Sequence, residues 1–175
     1  MKNIDEKAKK IRLVIFDVDG VLTSGELNYT ANGIECKEFH VHDGQGMKLL
    51  MQTGVQIGII TTCKSETIKR RMQDLNILHV YQGQVEKLSA YEDLKEKLNL
   101  SDDQIAYLGD DLPDLPILRR VGLPATVSNA PYIMQQHTAL TTDAKGGQGA
   151  ARELCDLIMQ AQGTYESVIH AYLHT

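Results

Sequence analysis

Apolar residues run almost without interruption through positions 11–16, IRLVIF, and similar β-branched blocks recur at 56–61 (QIGIIT), 105–109 (IAYLG) and 122–127 (GLPATV). Runs this short and continuous are expected of strands covered on both faces, because a strand with one wet face alternates apolar and polar residues. Between these blocks the apolar positions take up helical spacing, which predicts helices over about 46–52, 65–75, 87–98 and 115–121. Strands alternating with helices predict an α/β fold: a Rossmann-like, doubly wound, mainly parallel sheet with helices on both faces. No internal repeat, low-complexity tract or linker divides the chain, so residues 1–175 are expected to form one domain.

One segment breaks the rhythm. Residues 25–41, GELNYTANGIECKEFHV, alternate in polarity around Asn32-Gly33. Asn-Gly is the strongest short hairpin signal, so a β-hairpin is expected to project from the sheet just after the first strand. The C-terminal tail, about 146–175, opens with the glycine turn GGQG and continues as an amphipathic helix and a last helical stretch ending at Thr175. The turn lacks both phosphate-loop spacings, GxxxxGK[ST] and GxGxxG, and is read as a flexible closure over a substrate.

Charge narrows the partners. Eighteen Lys and Arg against 23 Asp and Glu give −5, and the cations are scattered, so no basic face for nucleic acid is expected. Three cysteines without a CxxC pair suit a reducing compartment. The charged N-terminus followed by a short apolar run fits neither a signal peptide nor a membrane span, and a soluble cytoplasmic protein is expected.

The chemistry lies where the apolar blocks end. In an open α/β sheet, functional groups gather at the carboxyl ends of the strands. That rule selects Asp17 and Asp19 after the first strand, Thr61 after the second block, Lys87 at the start of a helix, and Asp110, Asp111 and Asp114 after the third block. Crowded carboxylates repel and are costly to desolvate, and several around one point call for a hard divalent cation such as Mg²⁺. Beside such an ion Asp17 could attack phosphorus, forming an aspartyl-phosphate, while Asp19 could protonate the leaving oxygen and later deprotonate water. Lys87 and the Thr61 hydroxyl could neutralise and orient the transferring group.

In order along the chain, Asp17-x-Asp19-Gly20, the strand-end Thr61, Lys87 before a helix and GDDLPD resemble the haloacid dehalogenase-like phosphohydrolases over nearly the whole length, and FDVDGVLT, YQGQVEKL, YLGDDLPD and GGQGAARE carry the likeness further. With Asp43-Gly44-x-Gly46 they resemble more narrowly the capless sugar-phosphate phosphatases, whose substrates include 3-deoxy-D-manno-octulosonate 8-phosphate (KDO 8-phosphate) and nonulosonate 9-phosphates. The resemblance implies a phosphomonoesterase with Asp17 as nucleophile and metal ligand, Asp19 as acid/base with its backbone carbonyl on the metal, and Asp110 as second carboxylate ligand. Asp111 and Asp114 would hold metal-bound waters or Lys87. It further implies a homotetramer in which each hairpin covers a neighbour's site in place of a cap domain. Thr62, Lys64, Asp43, Gly44, Gly46 and Arg152 would meet the substrate, with Lys64 and Arg152 facing a sugar-acid carboxylate. KDO 8-phosphate hydrolysis, in lipopolysaccharide precursor synthesis, is the expected reaction. A nonulosonate 9-phosphate or broad sugar-phosphate substrate is the alternative, and a phospho-receiver signalling domain is the alternative of another class.

The sequence departs from the group at Thr62-Cys63, where Gly-Arg is usual, and at His42 and Gln148, where Arg is frequent. Cys63 is expected to line the site rather than attack, because no base is paired with it. Cys155 is expected in the core. His40 with His42, on one strand face, and His170 with His174 have spacings that permit zinc, but without a third ligand a structural or solvated role is expected.

Overall fold

The computed structural model describes residues 2–33 and 35–173. Six parallel strands lie in the order β5-β4-β1-β6-β7-β8, formed by β1 (Leu13–Phe16), β4 (Gln56–Ile60), β5 (His79–Tyr81), β6 (Ile105–Leu108), β7 (Leu123–Thr126) and β8 (Leu140–Thr141). All four β1 side chains are fully buried, as a strand hydrogen-bonded on both edges and covered on both faces must be. Its register sets Phe16 beside Ile59 of β4 and Leu108 of β6, so β1 and β6 finish level and β4 runs one residue further. After β1 the chain builds outward through β4 and β5, then returns to add β6, β7 and β8 on the other side. That reversal opens a crevice between the carboxyl ends of β1 and β6, where ligands bind in sheets of this kind.

The helices are α1 (Lys2–Ala8), α2 (Val41–Gln52), α3 (Glu66–Asp74), α4 (Lys87–Lys97), α5 (Leu115–Leu118), α6 (Tyr132–Gln136), α7 (Ala150–Ala161) and α8 (Tyr165–Leu173). Four of the expected helices are present with shifted limits. α2 begins five residues before position 46, because His40 caps it: its ring nitrogen accepts the His42 N–H. The two histidines therefore occupy a helix start, not one strand face as expected, and their rings meet edge to face. α5 ends at Leu118, three residues short of the expected limit. α1, α6 and the edge strands β5 and β8 were not anticipated. Cys155 of α7 is fully buried, as expected. His170 lies in α8, and His174 is outside the described residues.

The expected hairpin exists but is small. β2 (Asn28–Tyr29) pairs antiparallel with β3 (Glu35–Cys36) around a turn in which the Gly33 N–H reaches the Thr30 carbonyl, and the expected last residue, Val41, already belongs to α2. The glycine turn at 146–149 packs directly on the loop after β1. A Cβ at Gly146 would fall 1.7 Å from the Gly20 carbonyl oxygen, so two backbones touch where only glycine fits. The Gly147 N–H donates to the Val21 carbonyl and the Gly146 N–H to Asn129 Oδ1, which fixes the turn against the loop after β1. Among the described residues no helix is long and apolar enough to cross a membrane.

Candidate active site

At the crevice a cavity of about 270 Å³ is lined by Asp17, Asp19, Gly25, Thr62, Lys87, Asp110, Asp111, Pro113 and Asp114. Asp17 and Asp110 arrive from the ends of β1 and β6, and one carboxylate oxygen from each, with one from Asp114, lies within 4.8 Å of the others. Gly20 makes this approach possible: its φ is +88°, and a Cβ there would sit 2.0 Å from Asp110 Oδ2.

Lys87, the first residue of α4, is almost wholly buried and reaches across to Asp17 Oδ1 at 3.0 Å and Asp114 Oδ1 at 2.6 Å. Burial alone would lower the lysine pKa, but the charges of Asp17 and Asp114 outweigh it and raise the value. Asp114 is saturated. Its Oδ1 also receives the buried Tyr107 hydroxyl at 2.6 Å, and its Oδ2 receives the Asp110 and Asp111 N–H groups. It therefore acts as a brace that fixes Lys87 and the β6 loop, while Asp17 and Asp110 keep oxygens for a ligand. Asp111 is exposed, and its Oδ1 accepts the Leu112 N–H at 2.8 Å.

The electrostatics ask for more positive charge. Burial first, then the charge of Asp114, pushes Asp17 up to about 7 despite Lys87. Burial and the charges of Asp17, Asp114 and Asp111 push Asp110 up to about 7. The carboxylates of Asp17, Asp110 and Asp114 against the single Lys87 ammonium leave two formal negative charges. An all-oxygen donor set with that deficit fits one hard divalent cation held by Asp17 and Asp110.

Asp19 is handled separately. Its side chain lines the same cavity, yet it lies outside the three-carboxylate cluster and is bonded through Oδ1 to Lys37 of the hairpin at 2.5 Å. Sequence reasoning missed Lys37 and Tyr107. The signal for Lys37 was present in its two-residue spacing from Glu35, which in extended chain puts both side chains on one side.

Thr61 is fully buried at the end of β4, and its hydroxyl accepts the Cys63 N–H at 3.1 Å; its neighbour Thr62, not Thr61, lines the cavity. Cys63 is half-buried, with its sulfur 4.0 Å from Glu35 Oε2, and burial pushes the thiol above its ordinary pKa, which disfavours a thiolate. Neither Cys63 nor Lys64 lines the cavity.

The structure does not bring Asp43, Gly44, Gly46 and Arg152 to the cavity. Asp43 is buried and accepts the Gly149 and Arg152 N–H groups at 3.3 and 2.9 Å, which caps the start of α7. Gly46 lets α7 approach α2, since a Cβ there would lie 3.0 Å from the Arg152 Cα. Gly44 makes similar room for Arg71 and Leu75. Arg152 Nε donates to both oxygens of Asp156, and the residue lines a different cleft, with His42, Gln148 and Glu153. Within one chain these four residues join helices.

These features define a doubly wound α/β protein with an acidic, lysine-braced site at its topological switch point. Residues 52–154 match the family described as haloacid dehalogenase-like hydrolase. The chain is 43% identical over 157 residues, 90% of its length and 84% of the relative's, to the 3-deoxy-D-manno-octulosonate 8-phosphate phosphatase of Salmonella typhi. It also superposes on the Moraxella catarrhalis enzyme of that name, solved with magnesium, phosphate and KDO, with TM-score 0.96 and 40% identity over 98% of this chain and 99% of the other. The cobalt-bound Haemophilus influenzae phosphatase of the same specificity aligns with TM-score 0.91 and 39% identity, covering 95% and 99%. The chain belongs to the haloacid dehalogenase-like hydrolases. That membership sets aside the receiver-domain alternative.

Proposed function

We propose that this chain is a magnesium-dependent phosphomonoesterase that hydrolyses KDO 8-phosphate to KDO and phosphate. The observation that carries the reading is the Asp17 carboxylate, clamped by Lys87 at 3.0 Å and set beside Asp110 in a cavity at the switch point. Relatives at 43% identity carry that substrate in their names, which selects the sugar acid.

Asp17, Asp110 and the Asp19 backbone carbonyl would hold the cation, which when bound supplies positive charge that lets both carboxylates ionise together and draws in a phosphate oxygen. Asp17 then attacks phosphorus through a free oxygen, and the phosphorus–oxygen bond to the sugar breaks as the aspartyl-phosphate forms. Asp19 gives its proton to the departing sugar oxygen, then takes a proton from the water that attacks the phosphoryl group, which releases phosphate and restores Asp17. Lys87 offsets charge on the equatorial oxygens while Asp114 and Tyr107 keep it in place. Thr61 sets the loop that presents Thr62 to the phosphate, and Asp111 at the rim would hold a water beside the cation.

The wider reading follows from the same resemblance: a cytoplasmic homotetramer supplying a lipopolysaccharide precursor, with the hairpin of each subunit over a neighbour's site. In that assembly Lys64, Arg152 and the Asp43–Gly46 start of α2 would reach the sugar acid. The test is phosphate release from a panel containing KDO 8-phosphate, nonulosonate 9-phosphates and hexose phosphates, with magnesium and then with chelator. KDO 8-phosphate is expected to give the highest kcat/KM, with release abolished by chelation. Preference for a nonulosonate 9-phosphate would replace the substrate and leave the chemistry; undiminished turnover by Asp17→Asn would overturn the nucleophile.

A further inference from the structure

The hairpin carries a charge cluster that the reaction above leaves without a purpose. Lys37 follows β3, and although its side chain is only 4% exposed it ends between two carboxylates, Asp19 at 2.5 Å and Glu35 at 2.8 Å. Both contacts are hydrogen-bonded ion pairs, so the ammonium is held from two sides. A buried lysine far from any task is expensive, and removing one member of such a group leaves an uncompensated charge. Asp19 itself is 31% exposed, so without Lys37 its short side chain would be free to change rotamer at the cavity wall.

The bond also distinguishes the two oxygens of Asp19. Lys37 binds Oδ1, and an ammonium only donates, so Oδ1 must be the acceptor oxygen. That leaves Oδ2 as the oxygen not engaged by the ammonium. The pair of aspartates that begins the site is thereby divided: Lys87 secures Asp17 and Lys37 secures Asp19, each ammonium coming from a different element.

We propose that Lys37 is a positioning residue for proton transfer: it pins Asp19 through Oδ1 so that Oδ2 faces the leaving oxygen, and Glu35 holds Lys37 in that place. The inference rests on the acid/base role of Asp19 proposed above. In the first step the Oδ2–H bond breaks as the proton moves to the sugar oxygen leaving phosphorus. In the second, Oδ2 takes a proton from the attacking water. Lys37 keeps all its protons throughout.

The test compares two substrates whose need for an acid differs. A sugar alkoxide is a poor leaving group and depends on protonation, whereas p-nitrophenolate departs readily without it. Lys37→Met is expected to lower kcat on KDO 8-phosphate by about tenfold to a hundredfold, a part of what general acid catalysis contributes, and on p-nitrophenyl phosphate by less than about threefold. KM should hold, and Lys37→Arg should restore part of the loss. Lys37→Leu, which likewise removes the ammonium, serves in the same comparison if Lys37→Met fails to fold, as read from circular dichroism and the melting temperature. Equal losses on both substrates, no loss, or a gain in rate would overturn the proposal. Asp19→Asn separates the two levels: if it shows the leaving-group split and the Lys37 variants do not, the positioning role fails alone. If Asp19→Asn shows no split, the acid/base assignment fails with it.

Discussion

Replacing Asp110 by Asn should stabilise the metal-free protein, although it removes a functional carboxylate. Burial and three neighbouring carboxylates raise Asp110 from its ordinary 3.8 to about 7. A group whose folded pKa is raised binds more protons in the native state than in the unfolded one throughout the interval between the two values. Stability therefore falls as pH rises through about 4 to 7 and levels off above. Three units at about 1.4 kcal/mol each set a ceiling of ~4 kcal/mol at pH 8 for the cost of ionising Asp110. Asn avoids that cost but brings an amide N–H₂ into a site rich in acceptors, and about 2–4 kcal/mol of net gain is expected. For a chain of this size the gain corresponds to roughly 5–10 °C in Tm. Scanning calorimetry in the presence of chelator, from pH 4 to pH 8.5, should show the two proteins melting together at the acid end and the variant ahead at the alkaline end. Added magnesium should raise the wild-type Tm and leave the variant nearly unmoved, because a ligand stabilises only the state that binds it. A variant no more stable than wild type at pH 8, or more stable by the same amount at every pH, would refute the electrostatic reading of the cluster.

Three further outcomes follow from the packing around the site. Lys87→Met leaves Asp17 facing Asp114 without a cation; it should cost about 3–5 kcal/mol at pH 8, less at pH 5 where the carboxylates can take protons, and should abolish phosphate release. Chelated melts at the two pH values check the first part and a phosphate assay the second. Gly146→Ala drives a methyl into the Gly20 carbonyl, and the displaced loop should lower kcat by about tenfold to a hundredfold in the same phosphate assay, as small misplacements of reacting groups do. Asp43→Ala removes the cap of α7 and should lower stability by about 1–2 kcal/mol in urea titrations.

The parts of the site that were legible in the sequence are those fixed by strand ends. Asp17, Lys87, Asp110 and Asp114 each sit where an apolar run stops or a helix starts, and the pattern of burial that makes the strand also determines where its last side chain emerges. The fold was legible for the same reason: β1 and β6 are buried throughout and β4 and β7 nearly so, whereas β5 and β8 are edge strands of three and two residues, too short to announce themselves. What could not be read was pairing across distance. Asp43 in the Asp43-Gly44-x-Gly46 run suggests a substrate contact, and only the approach of α7 reveals that its oxygens are taken by Gly149 and Arg152. The glycines at 146–147 suggested freedom because glycine is permissive, while here they are required because backbones touch.

Lys37 shows how such a pairing hides. In the sequence it is one of 18 cations, on a hairpin whose polar residues suggest solvent, and it lies 18 positions from the aspartate it binds. Solvated, it would contribute almost nothing, as exposed ion pairs do. Folded, the hairpin turns the same residue inward, and the low-dielectric setting converts a generic charge into one that fixes a single oxygen of Asp19. The hairpin is then part of the chemistry of its own chain, whatever else it covers. A substitution that changes the inward residues, Glu35 of β3 or Lys37 just after it, should be felt at the reacting phosphate, whereas changes at the outward Cys36 should not.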